Sequence, residues 1–172
     1  MKVTLVSYSK PVLEGLDTPT DLVAFCARVS NPSNQINSET SEKLIKYLVK
    51  HQHWSPLEMA TMCLEIETTR DIARQILRHR SFSFQEFSQR YADPTKDLEF
   101  VTREARLQDP KNRQNSISEG VDVMLQYEWH KRQEDLIAQV KIQYDWAIAN
   151  GIAKEQARAL LPEGLIMSRM YM

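Results

Sequence analysis

The sequence predicts an α/β protein, more strictly α+β, with helices packed on a small sheet. Three observations predict it. Residues 1–9, 61–67 and 165–172 alternate with the period of a strand. Residues 118–150 carry the longest helical spacing in the chain. A length of 172 residues suits one domain, 1–172, with a single sizeable core.

In chain order, Val3 and Leu5 alternate with Thr4 and Val6 in the first strand. Thr18-Pro19-Thr20-Asp21 starts a helix, with Thr18 as the cap and Pro19 at the first helical position. Leu22, Phe25, Cys26 and Val29 continue at helical spacing toward Arg28 and Ser30, until Asn31-Pro32-Ser33-Asn34 breaks it. A second helix begins at Ser38, sends Leu44, Ile45, Leu48 and Val49 to the core and ends near His51. In the strand 61–67, Met62, Leu64 and Ile66 form the buried face, opposite Thr61, Cys63 and Glu65. A helix over 69–77 follows, with Ile72, Ala73, Ile76 and Leu77 inward, and then a strand reaching Tyr91. Residues 93–118 are polar: an extended piece at 98–101 and then a mobile excursion. The long helix presents Val121, Met124, Leu125, Leu136, Val140 and Tyr144 to core or subunit interface and stops at Gly151. A short helix over 154–161 presents Arg158 and stops at Pro162, and the last strand closes the chain.

Composition excludes several function classes. A net charge of −1 gives no long-range basic field, which argues against a nucleic-acid partner. No apolar run approaches the ~20 residues of a membrane span, and residues 1–10 lack the pattern of a signal peptide. Cys26 and Cys63 are distant in sequence and have no ligand partner at metal spacing, so buried thiols in a reducing cytoplasm are expected. His51, His53 and Glu58 are an incomplete ligand set, so no metal is expected there. The four glycines, Gly15, Gly120, Gly151 and Gly164, form neither a Gly-x-Gly-x-x-Gly nor a Walker loop. Any nucleotide must therefore be held by side chains and helix ends.

Gln75 to Tyr91 is the densest run of chemistry. It holds Arg78, His79, Arg80, Glu86, Ser88 and Arg90. Helical spacing places Gln75, Arg78 and His79 on one surface. Strand alternation places Glu86, Ser88 and Arg90 on one face, with Phe87, Gln89 and Tyr91 on the other. A solvated basic helix end before an edge strand is the plain alternative. Against it, Phe82, Phe84, Phe87 and Tyr91 interleave with the charges and would anchor the segment on apolar surface. Three arginines in thirteen residues, with a histidine and a serine hydroxyl, suit a phosphate-bearing ligand.

Arg78-His79-Arg80, seven residues and then Ser88, with Ser83, Glu86 and Arg90, resembles the signature of the flavin-dependent thymidylate synthases, the ThyX family. Ala27-Arg28-Val29-Ser30, the stretch from His51 to Glu58 and the stretch from Glu155 to Pro162 also resemble family segments, in the family order. The resemblance implies a ThyX-like fold: a small, mostly antiparallel sheet packed with a long-helix bundle. It implies reductive methylation of dUMP to dTMP, with methylenetetrahydrofolate as one-carbon donor and NADPH-reduced FAD as hydride source. Carried over by position, Gln75, Arg78, Glu86, Phe87, Ser88, Gln89, Arg90 and Arg158 are the dUMP side. His53, Ser55, Arg78, His79, Arg80 and Glu86 are the flavin side, and Arg78 and Arg158 are the catalytic candidates. The family further implies a homotetramer whose subunits share each site. Two departures stand out: Gln85 replaces the usual asparagine, and the chain ends at Met172, short of the family's C-terminal segment. A nucleotide- or phosphate-binding protein without catalysis is the alternative.

Overall fold

The computed structural model describes residues 1–172, which divide into two compact units, Val3–Glu65 and Ile66–Met172 with Met1–Lys2. In the first unit, β1 (Lys2–Tyr8) is the sheet neighbour of β2 (Met62–Thr69). Ser9 N donates to Thr61 O at 2.9 Å where the pair begins. Helix α1 (Pro19–Ala27) has Thr18 as its cap. The Thr18 hydroxyl accepts from Asp21 N at 3.2 Å, and the Asp21 carboxylate accepts from Thr18 N at 3.1 Å, a closed capping box. Helix α1 packs against α2 (Ser41–Lys50) and the 3-10 turn Ser55–Met59. Arg28, buried just past α1, donates to Asn37 O and, at 2.8 Å, to the Thr40 hydroxyl, tying the α1–α2 connection together.

Burial in this unit departs from simple periodicity. Val23, Ala24 and Leu48 are buried, whereas Val29, Val49 and Met62 are exposed. A helix this short buries only the stripe that meets its neighbour. The thiols of Cys26 and Cys63 are free and half-buried rather than fully buried.

In the second unit, the closing half of β2 lies beside β6 (Met167–Tyr171), and β6 lies beside β3 (Gln85–Glu86). The β3–β6 pair is antiparallel, with Gln85 opposite Tyr171 and Glu86 opposite Met170. Helix α3 (Arg70–Ile76) follows β2 directly, and Ile72, Ala73, Ile76 and Leu77 are its buried or half-buried side, as its spacing predicts. The segment 93–118 is better organised than a mobile excursion. It forms α4 (Pro94–Asp97), a bridge between Phe100 and Ile166, and a hairpin of β4 (Leu107–Gln108) with β5 (Ser116–Ile117). Amide side chains of α5 (Val123–Ala149) strap it down: Gln133 exchanges two bonds with the Arg103 backbone at 2.8 and 2.9 Å, and Gln126 accepts from Ala105 N at 2.8 Å.

The long-helix part of the fold is this one helix of 27 residues. Asp122 caps its start, and Gly151, at φ +75°, ends it with paired bonds from Gly151 N to Ile148 O and Ile152 N to Ala147 O. Only its later half enters the core, where Val140, Tyr144 and Ala147 meet Ala157, Leu161 and Ile166. The early apolar residues Met124 and Leu125, and Leu136 midway, stay exposed. The short helix predicted over 154–161 is α6 (Lys154–Ala157) continued by the 3-10 turn Arg158–Leu160. No helix is long and apolar enough to cross a membrane.

Candidate functional site

Helix α3 has two very different ends. At its start, Arg70 is 8% exposed and lies 3.5 Å from Glu86 Oε1 and 3.6 Å from Glu163 Oε1. Arg74, one turn later, also ion-pairs with Glu163. Asp71 is gripped by Arg103, whose Nη2 donates to both carboxylate oxygens at 2.7 and 2.8 Å and to the Thr69 hydroxyl at 2.8 Å. Burial pushes the Asp71 carboxyl up, but the Thr69 hydroxyl and the Arg103 charge outweigh it and hold the group below its ordinary value.

Past the helix, Arg78 and His79 lie in turns closed by bonds from Arg78 N to Gln75 O and His79 N to Ile76 O. Gln75, Arg78 and His79 are exposed together on this end, as the spacing predicts, and Arg80 is exposed beside them. The guanidiniums of Arg78 and Arg80 have no anionic partner within the chain, and the His79 ring touches only Phe82, at 6.0 Å between centroids.

Strand alternation fails after Glu86. Phe87 N still donates to Arg169 O at 2.8 Å, but the Ser88 carbonyl then accepts from both Tyr91 N and Ala92 N, turning the chain back. The chain leaves the ladder although β6 continues: in this register Ser168 and Met167 would lie opposite Ser88 and Gln89, but the Ser88 carbonyl is spent on the turn to Tyr91 and Ala92. Ser88 and Arg90 therefore share a turn instead of a strand face, with the Ser88 hydroxyl 3.4 Å from Arg90 N. Phe84 and Phe87 are half-buried anchors, whereas Phe82 and Tyr91 stand in solvent. The Glu86 carboxylate faces inward and accepts from the buried Ser168 hydroxyl at 2.8 Å.

The turn carries Gln89 into a cavity of about 320 Å³ that also receives Arg70, Arg74, Glu155, Arg158 and Glu163. Gln89 is 3% exposed, and its Nε2 has no acceptor within the chain. Arg158 donates through Nε to its own helix, at Glu155 O (3.1 Å), leaving the Nη donors uncommitted. Arg90 sits at the edge, paired with Glu155 at 3.2 Å. Three guanidiniums and a buried unpaired amide thus meet two carboxylates, Glu155 and Glu163, in this cavity, and donors left uncommitted there can take up the oxygens of an anion.

Of the predicted residues, Gln89 and Arg158 meet in this cavity, with Arg90 at its edge. Gln75, Arg78, His79 and Arg80 lie outside its lining, at the far end of α3. His53 and Ser55 are exposed in the other unit, where His53 stands 6.3 Å from His51 and 6.2 Å from Tyr47 between ring centroids. No group of three His, Cys, Asp or Glu is arranged to hold a metal ion. Sequence reasoning missed Arg70, Arg74 and Glu163. The four-residue spacing of Arg70, Arg74 and Arg78 was the available signal for the first two. Glu163 carries no local signal at all.

A family model described as thymidylate synthase complementing protein (Thy1) matches residues 11–172. A probable flavin-dependent thymidylate synthase of Paramecium bursaria Chlorella virus 1 is 51% identical over 162 residues, 94% of this chain and 74% of that protein. The flavin-dependent thymidylate synthase of Synechocystis sp. is 45% identical over 176 residues, 100% of this chain and 78% of that protein. Among solved structures, the UMP/dUMP methylase PolB from Streptomyces cacaoi, bound with 5-Br dUMP, is 26% identical with a TM-score of 0.74, covering 99% of this chain and 70% of that one.

Proposed function

The chain belongs to the Thy1 family, and from that premise we propose that it is a flavin-dependent thymidylate synthase, an FAD-dependent methyltransferase that makes dTMP from dUMP. The observation that carries the reading is the cavity where Arg158, Arg70 and Arg74 converge on the unpaired buried amide of Gln89. The UMP/dUMP methylase of similar fold binds a nucleotide monophosphate analogue, which supports dUMP as the ligand. One family model spans residues of both units, which supports a single catalytic domain. The non-catalytic alternative is not favoured, since both relatives are named as synthases.

In this reading the overall change transfers the one-carbon unit of methylenetetrahydrofolate to dUMP and reduces it with a hydride drawn from NADPH, leaving dTMP, tetrahydrofolate and NADP+. Arg158, Arg90 and Ser88 hold the nucleotide phosphate, and Gln89 donates from the cavity floor. Gln75, Phe87 and Glu86 complete the nucleotide side. Arg78 serves both ligands, and Arg78 and Arg158 act as catalytic residues by fixing the reacting base against the cofactor. Exposed donors without an internal anion suit the diphosphate of FAD, and Arg78, His79 and Arg80 meet that description. His53, Ser55 and Glu86 would complete the flavin contacts. When bound, FAD supplies hydride transfer, which no side chain of the chain provides.

Ser88 donates a hydrogen bond and makes no covalent bond, because the chain gives it no base: the contact of its hydroxyl is with Arg90 N. A homotetramer is part of the proposal, supported by outward apolar residues of α5, among them Val123, Met124, Tyr127, Ile142 and Trp146. A cytoplasmic location is proposed from the two unbridged thiols.

The test is the visible absorbance of the purified protein, followed by anaerobic reduction with NADPH with and without dUMP. A yellow protein whose bleaching responds to dUMP, and which forms dTMP when methylenetetrahydrofolate is added, meets the proposal. A protein that takes up neither FAD nor dUMP refutes it.

A further inference from the structure

The cavity already holds an anion supplied by the chain itself. The Glu163 carboxylate sits in the fork of Arg74 and Arg70, through the same Oε1 that pairs with Arg74 and lies 3.6 Å from Arg70 Nε. Its main chain is fixed independently of its side chain, since Glu163 O accepts from Asp71 N at 3.1 Å at the start of α3. The carboxylate is free to leave: the side chains of Glu163 and Arg74 are 41% and 55% exposed, whereas that of Arg70 is 10% exposed and stays in place. In the same cavity, the buried Nε2 of Gln89 has no acceptor. The site thus contains one orphaned donor and two cations that share a single carboxylate oxygen. Those are the donors a phosphomonoester would take.

We propose that Glu163 is a stand-in anion, occupying the Arg74–Arg70 fork until the phosphate of a nucleotide monophosphate displaces it, and that it thereby sets the selectivity of the site for phosphorylated ligands. The inference rests on the nucleotide-binding reading above and adds Glu163 to it. Physically, a singly charged carboxylate is outcompeted by a phosphate of nearly double charge, whereas a neutral nucleoside or a weak monoanion gains nothing by displacing it.

Calorimetric titration of dUMP, deoxyuridine and inorganic phosphate into the wild-type protein, Glu163→Gln and Arg74→Gln tests it, with thermal unfolding as the check that each protein is folded. Glu163→Gln is expected to bind dUMP and inorganic phosphate about fivefold more tightly at low salt, with the gain shrinking as salt rises and deoxyuridine unaffected. Arg74→Gln is expected to bind dUMP more weakly. A purely structural ion pair predicts instead that both variants change affinity in the same direction or not at all, and either result overturns the inference. Glu163→Asp, which withdraws the carboxylate by one methylene, should also tighten phosphate binding and serves if the glutamine variant does not fold. Failure of all three proteins to bind dUMP, with the phosphate gain of Glu163→Gln intact, would remove the nucleotide reading and keep the stand-in anion. Loss of the phosphate gain removes the stand-in anion whatever dUMP does.

Discussion

Arg70, at the start of α3, is shared between the carboxylates of Glu86 and Glu163, whereas Arg78 and Arg80, just past the end of the same helix, are exposed and hold no anion of the chain. Residue type and neighbourhood in sequence are alike. What differs is whether the fold has delivered a carboxylate. A paired, buried guanidinium acts on its own chain, and losing it strands a buried charge. An unpaired, exposed one costs the fold little and remains available to an external anion. The two ends of one short helix thus separate a cation the chain has already paired from cations it has left unpaired.

The largest expected effect is at the paired end. Arg70→Ala should lower stability by about 3 kcal/mol, because Glu86 would be left half-buried without its cation. A denaturant midpoint unchanged by the substitution would break the comparison. At the free end, Arg78→Ala should leave the midpoint within about 0.5 kcal/mol, while FAD affinity falls about tenfold to a hundredfold through a lost charge-assisted bond. Flavin fluorescence titration reads this directly, and a destabilised protein with intact flavin affinity would reverse the two assignments.

Asp71→Asn sharpens the paired end further. The folded carboxyl lies below its ordinary 3.8, since the Thr69 hydroxyl and Arg103 outweigh the burial that would raise it. A depressed carboxyl contributes stability that is present above the unfolded value and is lost as pH falls through the folded one. The wild-type protein should therefore lose stability below about pH 4 more steeply than Asp71→Asn, which should be weaker by about 1 kcal/mol at neutral pH. Parallel pH profiles of the two melting temperatures would contradict the pairing. The smallest effect belongs to Ser88→Ala, with dUMP affinity about fivefold lower and turnover at saturation retained. Abolished turnover with unchanged dUMP affinity would make Ser88 a reacting group instead.

Several features were legible because they are local. The cap at Thr18 needs only Asp21 three residues on, and the stop at Gly151 needs only a residue that tolerates φ +75°. The extent of α3 and its inward side followed from spacing within two turns. The strand after Glu86 was misjudged because alternation says nothing of turns: β6 still runs opposite, but the Ser88 carbonyl closes a turn onto Tyr91 and Ala92 and takes the chain off the ladder. The buried face of α5 was half right: its spacing is periodic throughout, but Ala157 of α6 with Leu161 and Ile166 furnishes a core only for Val140, Tyr144 and Ala147. The anion-binding residues themselves were legible by type, yet their sorting into paired and free was not.

By itself, then, the sequence determined the caps, the helix stops, the order of the elements and the arginine-rich signature that marks the family. These depend on side chains acting within a turn or two of their own backbone. Only the tertiary structure decided that Glu163 reaches Arg70 and Arg74, that Ser168 holds Glu86, and that Gln89 is buried with a donor to spare. Each of these requires closing a long loop of chain. The free energy for that closure comes from burying the core that α5 and α6 form with Leu161 and Ile166, and from no property of the charged residues themselves.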